Sequence, residues 1–244
     1  MRAGFVGACT PHSRPAVSIT RASTSSCFLT VAPAHPEAPS HHEAYVVRER
    51  SVRDVAARYG DTAEHGEHVA RLALALFDGT RRLHRLGHRD RERLFFAGLL
   101  HDVGQHVEYR RHHRHSHYLI KNAGLRGFDP DEVELLAVLA RYHRRGGPKA
   151  GQAEWESLPR RLRPTALKLV SILRVADGLD RGHAQEVTSV EASVRRDGVH
   201  LRLVGRRDLT LDVGAAVEKA DLFEEVFRTP IVFEPARGSV PSLR

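Results

Sequence analysis

From residue 44 onward, apolar and polar positions recur with a helical period. Val52, Val55, Ala56 and Tyr59 share one face, Ser51 with Asp54 makes a capping-box-like start, and Gly60 closes the helix. Asp61 with Glu64 repeats the start signal, and the next helix carries His65, Val69, Leu72, Ala73, Leu76 and Phe77 on one apolar stripe. A further helix runs from about Arg89 to His101 over Leu94, Phe95, Gly98, Leu99 and Leu100. After a basic run, a short helix through Tyr118, Leu119 and Ile120 ends near Gly124. Asp129-Pro130-Asp131-Glu132 opens the next, with an N-cap, proline at the first position and acids at the positive end of the dipole. That helix runs to His143. Arg144 to Pro148 breaks it, and Lys149 to Pro159 reads as a polar loop. From Thr165 a long helix places Leu169, Val170, Leu173, Ala176, Asp177 and Asp180 on one face.

After Gly182 the period drops to two. Val187 to Val194 alternates as a strand, Asp197-Gly198 makes a tight turn, and His200 to Val204 and Leu209 to Val213 read as two more strands. A helix from Ala215 to Phe227 and a last strand at Ile231 to Phe233 complete a small α+β unit. The expected architecture is therefore mainly α, a helical bundle over residues 44–183 followed by a small α+β domain over residues 184–235. Residues 1–43 are rich in Ser, Thr, Ala and Pro, lack periodicity and have no acidic residue before Glu37. They read as a disordered tail, a transit-peptide-like leader or the product of a mis-assigned start, with residues 236–244 as a disordered C-terminus.

Composition narrows the class. Hydrophobic residues make up 41% and charged residues 28% of the chain, with no apolar run long enough to span a bilayer, so no membrane partner is expected. The net charge of +8, with 17 histidines in addition, favours polyanions: a phosphorylated small molecule, polyphosphate or, less favoured, nucleic acid. The cysteines, Cys9 and Cys27, both precede the expected core, which excludes a thiolate metal site there and makes a reducing cytoplasm the expected location. A homodimer is compatible with this composition.

The chemistry centres on Leu99-Leu100-His101-Asp102-Val103-Gly104, an apolar helix end that carries an imidazole and a carboxylate toward the interior. A carboxylate buried there needs a compensating cation or hydrogen bonds. Other ligand types fall at the inner faces or ends of neighbouring helices, giving the series His65, His101-Asp102, His115, His143 and Asp177. Nitrogen and oxygen donors without sulfur suit one or two Mn, Fe, Zn, Co or Mg ions. Two ions about 3.5–4 Å apart activate water and clamp a phosphoryl oxygen together. Each choice has a rival: His68 lies one turn from His65, Asp180 follows Asp177, and His112, His113 and His117 share the run that holds His115. Any single histidine among them also has a plain reading as a surface or hydrogen-bonded core residue.

The series His65, His101-Asp102 and Asp177 within Leu173-Arg-Val-Ala-Asp177-Gly178 resembles the HD superfamily of metal-dependent phosphohydrolases. More closely, the span from Ser51 to Phe233 resembles the C-terminal region of the exopolyphosphatase/guanosine pentaphosphate phosphohydrolase family. The similarity is carried by Ala97 to Gly104, Tyr109 to Ser116, Tyr118 to Ile120, Gly127-Phe128, Arg141 to Arg144 and Lys219 to Phe223. The resemblance implies His65 over His68, Asp177 over Asp180, and metal-dependent hydrolysis of a phosphate ester or anhydride, with His101 and Asp102 at the catalytic centre. The family's N-terminal actin-like phosphatase domains are absent, so their exopolyphosphatase activity does not carry over. Gln105 stands where some HD enzymes have lysine. Arg110, Arg111, Arg114, Lys121, Arg141 and Arg144 are the candidate substrate cations, with a solvated basic loop as the alternative. Two other functions use the same residues: a polyphosphate- or nucleic-acid-binding module without turnover, and a di-iron oxygenase.

Overall fold

The computed structural model describes residues 40–59, 63–144 and 146–235. Residues 1–39 of the expected tail, the Gly60 stop, the Asp61 start signal, Arg145, both cysteines and the C-terminus lie outside the described residues, while residues 41–43, expected in the tail, open the first helix.

Helix α1 (His41–Arg58) begins earlier than Ser51, because Ser40 and Glu43 form the capping box: the Ser40 hydroxyl accepts from the Glu43 N–H and the Glu43 carboxylate from the Ser40 N–H. Ser51 instead sits buried within the helix, its hydroxyl accepting the Arg126 N–H at 2.8 Å. Then follow α2 (Ala63–Gly79), the short α3 (Arg81–His84) and α4 (His88–Leu100), which gives way to a 3-10 turn over Val103–His106. Helix α5 spans His112–Asn122, and α6 spans Pro130–Tyr142 behind the expected Asp129 cap. The expected polar loop contains one helical turn, α7 (Ala153–Glu156), because Trp155 finds burial edge-on against Tyr142 with ring centroids 6.2 Å apart. A 3-10 turn, Arg160–Leu162, leads into α8 (Arg163–Gly178).

Strand β1 (Val187–Val194) pairs antiparallel with β2 (Val199–Gly205) around the Asp197-Gly198 turn, and β2 pairs parallel with β3 (Ile231–Pro235). The expected strand Leu209–Val213 is a helix: α9 covers Thr210–Lys219, and α10 covers Asp221–Phe227. The Asp208 carboxylate accepts both the N–H and the hydroxyl of Thr210 and so starts α9. Burial then follows Leu209, Asp212, Ala216 and Ala220 while Leu211 is 65% exposed, a helical stripe in place of strand alternation. The single expected helix over Ala215–Phe227 breaks at Ala220.

One apolar core joins the bundle to the sheet, running from Val52 on α1 through Leu169 and Leu173 on α8 to Leu201, Leu203, Ala216 and Phe223. Between α1, α4 and α6 the buried charges are paired. Arg48 on α1 meets Glu132 on α6 at 3.1 Å and lies over the Phe128 ring at 4.3 Å, while Arg93 on α4 meets the same carboxylate at 2.8 Å. No helix of the described residues is long and apolar enough to cross a membrane.

Candidate metal centre

Three helix ends and one helix start bring the ligand types together. His65 comes from the first turn of α2, His101 and Asp102 follow the last residue of α4, His143 follows the last residue of α6, and Asp177 stands in the last turn of α8. The α2–α4 approach is set by Gly98, where a Cβ would lie 2.7 Å from Ala70 Cα. Gly104 does the same for α5: a Cβ there would meet the His112 carbonyl at 2.2 Å, and its N–H donates to Ser116 Oγ at 2.9 Å.

Five of the six expected ligands converge. His65 Nε2 lies 3.5 Å from Asp177 Oδ1 and 3.7 Å from Asp102 Oδ2, and His101 Nε2 lies 3.6 Å from Asp177 Oδ1. These are the edge lengths of a tetrahedron around an ion with bonds of about 2.1 Å, whose edges measure about 3.4 Å. On the far side of Asp102, His143 Nε2 lies 3.3 Å from Oδ1.

His115 does not join them. It points to Glu108 at 3.8 Å, partly in solvent, and His112 takes the place expected of it, with Nε2 3.0 Å from Asp102 Oδ1 and 3.2 Å from His143 Nε2. The reason is helical phase. His112, Ser116 and Ile120 form the buried face of α5, and His115 lies off that face. The four-residue spacing to Ser116 and Ile120 was the signal in the sequence that favoured His112.

The imidazoles are oriented alike. Nδ1 of His65 faces Asp180 Oδ2 at 2.8 Å, and Nδ1 of His101, His112 and His143 faces the carbonyls of Gly98, Tyr109 and Ala140 at 2.7, 3.0 and 2.7 Å. An acceptor at every Nδ1 places a proton there and makes Nε2 the nitrogen that each ring can offer to the centre. His65 Nε2, His101 Nε2 and Asp102 Oδ1 are buried with no hydrogen-bond partner. Orphaned donors of this kind, aimed at one point, fit a divalent cation. Three overlapping trios share the members: His65, His101 and Asp102; His101, His143 and Asp177; and Asp102, His112 and His143. Asp102 belongs to two of the three.

The rivals have other work. His68 takes a hydrogen bond on Nδ1 from Arg71 at 3.0 Å, and Asp180 orients His65 while its other oxygen accepts the Gln185 N–H at 2.8 Å. Gln105 turns inward to donate to Asp102 Oδ2, and Lys219 donates to Asp177 Oδ2. His183, held at φ 54°, stacks on His65 with centroids 3.7 Å apart. Neither Lys219 nor His183 was among the site residues expected from sequence.

Burial opposes ionisation of both carboxylates, yet the imidazoles of His101, His112 and His143 around Asp102 hold it well below the usual range, and the Lys219 ammonium with the rings of His101 and His65 does so for Asp177. Burial also opposes protonation of His65, but Asp177 and Asp180 overcome it and raise its pKa to about 9. Burial lowers that of His143. Both carboxylates are thus ready ligands, whereas His65 must lose a proton to bind an ion.

The candidate substrate cations divide. Lys121 is paired with Glu134 at 2.6 Å and Arg141 with Glu154 at 2.8 Å. Arg110, Arg111 and Arg114 are exposed, and Arg144 lies over the Tyr109 ring at 5.7 Å, next to His112. Compared with known protein families, the chain matches Ppx/GppA phosphatase, domain III, over residues 47–225.

Proposed function

Because the chain belongs to the Ppx/GppA phosphatase family, we propose that it is a metal-dependent phosphohydrolase of the HD type. Its substrate is a phosphate ester or anhydride: a nucleotide, a guanosine polyphosphate or a polyphosphate-like chain. The observation that carries this reading is the set of four imidazoles, each tied at Nδ1 and each presenting Nε2 to the two carboxylates. His65, His101, Asp102 and Asp177 would hold one ion, and Asp102, His112 and His143 a second. Bound there, divalent ions supply Lewis acidity toward phosphoryl oxygen and a water acidified to a pKa of about 7.

The chain's own residues do the rest. Asp180 and the three carbonyls fix ring direction, so the donors need no reorganisation when substrate arrives. Gln105 holds Asp102 between its two groups of histidines. Arg144, at the His112 side, and the exposed Arg110, Arg111 and Arg114 supply charge to the nonbridging oxygens. Those three arginines, which form no ion pair among the described residues, also favour a second reading, a polyanion-binding module without turnover.

Elemental analysis of the untagged full chain, beside Asp102→Ala and together with a phosphate-release screen over nucleotides and polyphosphates, tests the proposal. About two equivalents of one metal, lost in the variant, with release that depends on that metal, is the expected result. Failure to bind metal even when Mn²⁺ or Mg²⁺ is added overturns it in favour of the binding module, and tightly bound iron with an optical signature points to oxygenase chemistry.

A further inference from the structure

The C-terminal α+β unit enters the candidate centre through one side chain. Helix α9 crosses α8 where Gly178 meets Ala216, and a Cβ on Gly178 would lie 2.6 Å from Ala216 Cα, so only glycine permits this approach. Beyond that crossing Lys219, the last residue of α9, reaches Asp177 Oδ2, and Asp221, the first residue of α10, accepts from Arg174 Nη2 at 2.6 Å. Arg174 and Asp177 are one turn apart on α8. The α9–α10 corner therefore grips α8 at two consecutive turns, with Arg174 buried and the Asp221 carboxylate largely exposed.

Asp177 is divided between two tasks. Its Oδ1 faces His65 and His101, and its Oδ2 faces Lys219. Among the described residues, Lys219 is the one lysine or arginine paired with a candidate ligand. It also marks the open side. The Lys219 and Asp177 side chains are 16% and 10% exposed, whereas those of His101 and His143 are 0% and 2% exposed.

Once Asp177 ligates an ion, the adjacent ammonium becomes surplus positive charge, and what balances it is an incoming anion. Gln105, at the position where a lysine would otherwise supply a phosphate contact, is committed to Asp102. A lysine is suited to the role. Its ammonium is a compact point charge on a flexible stem, able to leave Asp177 for an oxygen a few ångströms away.

We infer that Lys219 is a further cation, beside Arg110, Arg111, Arg114 and Arg144, that holds the substrate phosphoryl group at this centre, delivered across the fold by the C-terminal unit. The inference rests on the phosphohydrolase reading above and adds a binding residue to it. The test uses the metal-loaded full chain, Lys219→Met and Lys219→Arg, with inorganic phosphate as probe in calorimetry and metal content measured on each sample. The expected result is wild-type metal content in both variants, phosphate affinity at least tenfold weaker in Lys219→Met, and most of it kept in Lys219→Arg. With any substrate found in the screen, the Lys219→Met loss should fall on KM more than on kcat. If Lys219→Met binds phosphate within twofold of wild type, or loses metal instead of phosphate, the inference is overturned while the phosphohydrolase reading stands. Wild-type protein that holds no metal overturns both.

Discussion

His112 and His115 sit three residues apart in one basic run, and only the phase of α5 separates a candidate ligand from a bystander. His112→Ala should lose about one of roughly two metal equivalents, and His115→Ala should lose none, as read by elemental analysis of the purified variants. Asp180 acts one shell further out, since its contact with Nδ1 is what aims His65 Nε2 at the centre. Asp180→Asn is expected to weaken metal binding about 10- to 100-fold without removing a ligand, which competition with a fluorescent chelator would measure. Away from the centre, Glu134 is a buried carboxylate held by Ser157 at 2.6 Å and Lys121 at 2.6 Å. Burial opposes its ionisation, but His117, Lys121 and Ser157 together bring its pKa down to about 2, from 4.5. A pKa depressed on folding contributes stability above the unfolded value that is lost as pH falls through the folded one. Glu134 should therefore contribute roughly 3 kcal/mol at neutral pH, fading between about pH 4.5 and 2. Urea denaturation across that window should show a shallower loss in Glu134→Gln than in wild type.

At the scale of elements, Gly104 is what lets α5 close on the turn after Asp102. Gly104→Ala would drive a methyl into the His112 carbonyl, destabilise the fold by about 1–3 kcal/mol, and separate His112 from Asp102. Thermal melting reads the first effect and metal stoichiometry the second. The helices were legible because their apolar stripes and caps are local: Asp129 caps α6, and the stripe from Val69 to Phe77 is the buried face of α2. What was illegible was decided by tertiary contact. Leu209–Val213 carries apolar residues that fit strand and helix spacing alike, and the Asp208 cap together with burial against α8 selects the helix. Within the site, His101-Asp102 could be placed because it ends an apolar helix, whereas the stripe of α8 carries Asp177 and Asp180 alike and the family resemblance chose between them. The histidine supplied by α5 was legible only through its four-residue spacing to Ser116 and Ile120, a signal masked by the other histidines of the basic run.

At the scale of the whole molecule, the ligands are spread over α2, α4, α5, α6 and α8, and the core that packs those helices continues into the sheet through Val187, Leu201 and Leu203. A continuous core of this kind unfolds as one unit. Ions that bind only the folded chain stabilise all of it, by about 2.7 kcal/mol when free metal stands a hundredfold above its Kd. For a chain of this size each kcal/mol moves Tm by about 2–4 °C, so metal loading should raise Tm by roughly 5–10 °C over chelator-treated protein. Calorimetry should show a single transition that moves as a whole. A second transition that stays in place when metal is added would mean that the α+β unit melts separately, and the grip of Lys219 and Asp221 on α8 would then be too weak to tie the two parts together.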